Sequence, residues 1–208
     1  MKSLSRLFVF VLVVGMFGTM AYAEDAAKTA PVVDEKAAAE QAKKEEMMKR
    51  MSPTDAHKIL EPLAGKWTAV VKMWMTPEAK ADEMTGTGEN TIIYGGRFLK
   101  QEFKGTWMGQ PFEGTGYTGY DVIKGEYISI WIDSMATGIM TASGQYDATS
   151  KTLGTSGANS CPLTGEKDRK GRAETKIIDN DHNVYSSYAA GPDGKEFKMM
   201  EITYTRVA

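Results

Sequence analysis

The chain has 208 residues, 42% of them hydrophobic, with 25 basic against 27 acidic side chains, a balance that does not favour a nucleic-acid binder, which needs clustered lysine and arginine. A single cysteine, Cys161, excludes an intramolecular disulfide. With only His57 and His182 beside it, a zinc site built from nitrogen and sulfur alone is also excluded.

The first element in chain order is an export signal. Lys2 and Arg6 precede the uncharged run from Leu7 to Gly18, and Ala21-Tyr22-Ala23 is a small-x-small cleavage pattern. Residues 1–23 are therefore expected to be a signal peptide, with Glu24 as the mature N-terminus and a destination in the bacterial periplasm or the medium. The apolar run is short for a hydrocarbon core of about 30 Å, so no stable transmembrane segment is expected after cleavage.

Residues 24–52 form an Ala, Glu and Lys spacer without glycine or aromatics. Asp34 to Met51 has good helix propensity, with acids early and bases late. Its apolar positions are mostly alanine, which points to a solvated spacer rather than a packed element. Met47, Met48 and Met51 fall together there; thioether clusters can take copper(I), but methionine more often fills an irregular core, as expected for Met73, Met75, Met140 and Met199.

The folded domain is expected over 53–208, where about 155 residues bury roughly 68–70% of their surface. Ser52-Pro53 reads as a capping hydroxyl with proline at the first helical position, opening a short helix to about Leu60 that Pro62 stops. The period then changes to two, with Trp67, Ala69, Val71, Met73 and Met75 on one face. Further strands are predicted at about 87–94, 97–107, 112–120, 126–133, 138–146, 151–158, 171–179, 183–189 and 196–206, separated by turn residues such as Gly95-Gly96 and Asp179-Asn180-Asp181. About ten short strands with no crossover helix predict an all-β antiparallel up-and-down meander, and closure into a barrel would remove its exposed edges.

Five fragments in order sharpen this: HKILEPLAGKW (57–67), GGRFLKQEFKG (95–105), PFEGTGYTGYD (111–121), YISIWIDS (127–134) and MMEITYTR (199–206). Together they resemble a bacterial family catalogued as domain of unknown function 1579, placed among lipocalin-like (calycin-type) barrels, over about 54–208. The resemblance implies a fold and no activity. It also implies that Gly65 and Trp67 sit at the closed end of the barrel under the short helix, with Arg206 of the last strand packed across the indole. These three residues would be architectural.

Catalytic patterns are weak. No Gly-x-Ser-x-Gly elbow is present, and Ser134 has no histidine close in sequence. Asp121 and Asp133 are more simply strand-end residues than a carboxylate pair. Gly86-Thr87-Gly88 and Gly114-Thr115-Gly116 do not precede helices, so they lack the phosphate-loop mechanism. His182 reads as part of a polar turn and His57 as a packing residue. No catalytic residue, metal or other cofactor is expected.

The barrel interior remains. Tyr94, Trp107, Tyr120, Trp131 and Asp133 are the candidate lining, with Tyr117 and Tyr127 as further aromatics. The strand at 127–133 leaves two registers open, one placing Tyr127, Ser129, Trp131 and Asp133 inside and the other its isoleucines. The first reading of function is non-catalytic binding of a small apolar or amphipathic ligand. The alternatives are a cell-envelope structural or interaction module with a packed barrel, whose partner the sequence does not name, and an enzyme of unrecognised type using Asp121, Asp133 or Arg97.

Overall fold

Alternation from Trp67 onward produces strands, and the strands close on themselves. The computed structural model describes residues 34–161, 164–191 and 193–208. The expected signal peptide and spacer residues 24–33 lie outside the described residues. The chain divides into two units, 1–41 and 42–208. Helix α1 (Glu35–Met51) runs through that boundary and buries none of its residues.

The second unit holds α2 (Asp55–Lys58), a 3-10 turn (Glu61–Leu63) and ten strands. These are β1 (Gly65–Met73), β2 (Asp82–Ile93), β3 (Phe98–Trp107), β4 (Gln110–Asp121), β5 (Glu126–Asp133), β6 (Met140–Asp147), β7 (Thr152–Asn159), β8 (Arg169–Ile177), β9 (His182–Ala190) and β10 (Glu196–Arg206). Each pairs antiparallel with its neighbours, and β1 pairs with both β2 and β10, so the sheet is a closed up-and-down barrel.

Four local expectations are corrected. The cap of α2 is Thr54, whose backbone N–H donates to His57 Nδ1 at 2.9 Å. Ser52 instead closes the preceding helix, donating from Oγ to the Met48 carbonyl at 2.7 Å. Pro62 does not stop a helix but lies inside the 3-10 turn, where its missing N–H costs nothing. Strand β2 begins at Asp82, five residues before the expected 87, because Lys72 and Val71 of β1 supply ladder partners for Glu83 and Met84. Met75 lies beyond the end of β1 and is exposed rather than in the core.

The register fixes which side chains face inward. Trp67, Ala69 and Val71 are buried, while Lys66, Thr68 and Val70, which alternate with them, are exposed. Their partners carry the inward face around the ring: Met84, Gly86 and Gly88 on β2, and Ile202, Tyr204 and Arg206 on β10. The buried residues form two groups. Leu60, Leu63, Leu99, Tyr127 and Leu153 plug the end beneath α2 and the 3-10 turn. Ala69, Val71, Phe103 and Ile202 form the second group, further along the barrel.

Candidate functional site

The plugged end is a closure rather than a site. Trp67 is 1% exposed and donates from Nε1 to the Leu63 carbonyl at 3.0 Å; Asn90 donates to the same oxygen at 2.9 Å. The Arg206 guanidinium lies 4.2 Å from the indole ring centre, a cation–π contact. Arg206 also donates to the carbonyls of Ala64 and Pro62 at 2.7 Å each and of Asn180 at 2.6 Å. At Gly65, with φ of +124°, a Cβ would fall 2.2 Å from an Arg206 nitrogen, so the backbone there must be glycine. His57 is buried beneath the lid and meets Tyr120 edge-on at 5.8 Å; burial, the main cause, lowers its pKa.

Two expected lining residues belong to this end. Tyr120 faces inward, but it packs on Tyr127 at 4.9 Å within the plug. Tyr94 does not line the interior: it stands in the β2–β3 turn with φ of 51° and is 74% exposed. Strand β2 ends at Ile93, one residue before it, which leaves Tyr94 outside the ladder. Tyr117 pairs with Lys100 on the outer face. Tyr127 donates its hydroxyl to the Ala56 carbonyl at 2.7 Å, tying the barrel to α2.

The other half of the barrel is different. Tyr127 is buried and pairs with inward Tyr120, whereas Ile130 and Ile132 are exposed, so β5 turns Ser129, Trp131 and Asp133 inward. Trp131 packs against the Phe103 group, and its Nε1 donates to Asp133 Oδ2 at 2.9 Å. The other carboxylate oxygen of Asp133 accepts from the backbone N–H groups of Met135 and Ala136. Trp107 lies at the far end of β3 from the lid and is half-buried. Asp121 accepts from Ile123 and Lys124 N–H in the turn at the opposite end of the β4–β5 pair, so the two aspartates do not meet. Arg97 donates to the carbonyls of Tyr94 and Met51 near the lid. His182 Nδ1 bonds Asp179 at 2.9 Å in the β8–β9 turn.

Inward positions here are small or apolar. Ala142 and Ala173 are small, and Met73, Met84, Phe112 and Met200 pack around the Phe103 group. Ser129, Trp131, Thr155, Ala173 and Tyr185 face inward and yet remain only half-buried. Residues turned away from outer solvent keep such surface only where the interior is not completely filled. Tyr185 and Tyr204, absent from the predicted lining, face this space, and desolvation by burial raises both phenol pKa values, that of Tyr185 to about 12. A signal for Tyr204 existed: counting back by twos from Arg206 places Tyr204, Ile202 and Met200 on the inner face.

Among the described residues, no three His, Cys, Asp or Glu side chains converge as metal ligands, and no helix is long and apolar enough to cross a membrane.

The model of a family described as "Protein of unknown function (DUF1579)" matches residues 52–206. Among solved structures, Rv2717c from M. tuberculosis is similar at 19% identity and a TM-score of 0.55, covering 76% of this chain and 100% of its own. The S-type phycobiliprotein lyase CPES from Guillardia theta is similar at 11% identity and a TM-score of 0.50, covering 74% of this chain and 93% of its own. No curated protein matches.

Proposed function

The chain belongs to this DUF1579 family, and on that premise we propose that the open half of the barrel binds one small apolar or amphipathic molecule without transforming it. The observation that carries the reading is the accessible inner surface around Trp131, Thr155, Ala173 and Tyr185 inside a closed ring. Small barrels of this kind hold one small ligand when their interiors are not filled, and apolar walls with a few polar groups are what such a ligand needs. The phycobiliprotein lyase shares the fold at 11% identity, and the fold is all that it lends. The asparatate and arginine side chains weighed for catalysis are engaged with backbone groups at opposite ends of the barrel, which favours binding over chemistry.

The test is native mass spectrometry of the protein purified gently from its own host, with organic extraction of the same sample. A stoichiometric small mass supports the reading. A bare protein that also fails to bind an uncharged solvatochromic dye overturns it. The host fraction that holds the protein would test the proposed export to the periplasm or medium.

A second reading, an interaction module, draws on α1. It buries none of its residues and exposes Met47, Met48 and Met51 on its last turns. Its mark would be partner capture that disappears when the helix is removed and survives blockade of the barrel.

A further inference from the structure

The polar groups inside the barrel define what the ligand must offer. Ile202 of β10 pairs with Tyr185 of β9, and Tyr204 is the next inward residue along β10. The two tyrosines are thus diagonal neighbours on one face, a spacing that long aromatic side chains bridge. Tyr204 also meets Trp67 edge-on at 6.4 Å, so the pair sits immediately above the plug, as the floor of the open half. Neither hydroxyl has a hydrogen-bond partner among the described residues. Neither is sealed away either, since no buried side-chain oxygen there lacks a partner. Two phenols therefore present unused O–H groups to the same space. Burial raises the pKa of each, and Tyr185 adds to the rise at Tyr204, so both are protonated donors at neutral pH.

Charge is confined to the two ends. By register, the inward-facing ionisable groups are Asp82, Asp133 and Arg169 at the mouth and Arg206 at the closed end. Asp133 is held by Trp131, Arg169 donates to the Ala190 carbonyl at 2.8 Å, and Arg206 is committed to the plug. Between them the wall is uncharged: Val71, Met84, Phe103, Phe112 and Met200, with the hydroxyls of Ser129 and Thr155 among them. A carboxylate placed at the floor would lose its water and find no cation. A carbonyl oxygen loses far less on transfer, and its two lone pairs match two donors.

Resting on the binding reading above, we infer that the ligand is an uncharged amphiphile bound oxygen-first, its carbonyl accepting from Tyr185 Oη and Tyr204 Oη and its tail running past Met84, Phe112 and Met200 to the mouth.

The experiment is displacement of an uncharged solvatochromic dye from the full mature chain by three ligands of one length: 2-undecanone, undecane and undecanoate. The expected order places the ketone about tenfold ahead of the other two, the size of one well-made hydrogen bond. In Tyr185→Phe/Tyr204→Phe that lead over undecane disappears while the dye still binds; each single variant loses part of it. Equal displacement by ketone and hydrocarbon, a lead for undecanoate, or a lead that survives in the double variant overturns the inference and leaves binding in the barrel standing. A wild-type protein that binds no dye overturns both.

Discussion

The indole of Trp131 occupies the space that a side chain on Gly114 would need: a Cβ there would lie 2.1 Å from Cζ2, and one on Gly116 would lie 2.9 Å from Cε3. A bulky ring on β5 thus lies flat along β4 because β4 has no side chains beneath it. The ring edge is pinned by Asp133, which fixes how far the indole can swing.

Gly114→Ala should therefore push Trp131 toward the interior. The expected result is a loss of about 1–3 kcal/mol in denaturant unfolding, as for other overpacked sites, together with weaker dye binding. Unchanged tryptophan emission and unchanged binding would show that the ring does not border the bound molecule.

Asp133→Asn leaves the shape of the site but weakens a charged acceptor for Trp131 and for the Met135 and Ala136 N–H groups. Charge-assisted bonds are roughly twice as strong as neutral ones, so a loss of about 1 kcal/mol is expected. Dye binding should fall a few-fold, measured by fluorescence titration, and no catalytic activity should be at stake.

Arg206→Lys keeps the charge and loses the fork that reaches Ala64, Pro62 and Asn180 together. A cost of about 1–3 kcal/mol is expected. Arg206→Ala should cost more because the stacking on Trp67 goes as well. Both should leave the ketone preference intact in any fraction that folds, since they act at the plug.

His57 predicts a stability loss in mild acid. Burial lowers its pKa from 6.5 in the folded state, so below that value the unfolded chain takes the proton first. Stability is full above about pH 6.5 and falls as the pH drops toward the lowered folded value. Protonation would also place a hydrogen on Nδ1, which accepts from Thr54 N–H. Thermal melts between pH 7.5 and 5 should show the decline in the wild type and a flatter profile in His57→Gln. The carboxylates held low, Asp55, Asp147 and Asp179, titrate below this window.

The barrel was legible because its strands alternate and its turns carry glycine and aspartate; β5 and β10 were predicted with the bounds they have. The closure was legible only through the family resemblance, which implied that Gly65, Trp67 and Arg206 of the last strand meet at the closed end. The lining was not. Tyr94 and Tyr185 are both tyrosines near alternating residues, and only the register separates an exposed turn from the interior. Register depends on how the strands pair around the ring, and it reaches Tyr185 from Trp67 only by way of Ile202. Trp131 and Asp133 could be named as neighbours two apart on one strand. Their hydrogen bond needed the strand to face inward.

The seam between β1 and β10 also governs the order in which the molecule can be made. Arg206 meets the Ala64 carbonyl across 142 residues of chain, so a nascent polypeptide lacks its closing strand until the nine other strands have all been made. Until then β1 and β9 each present an unpaired edge, open to pairing with another chain. Contacts of such sequence separation are slow to form. Truncation within β10 should therefore yield aggregates in proportion to the edge it uncovers, and a completed chain should gain its resistance to association in one late, cooperative step.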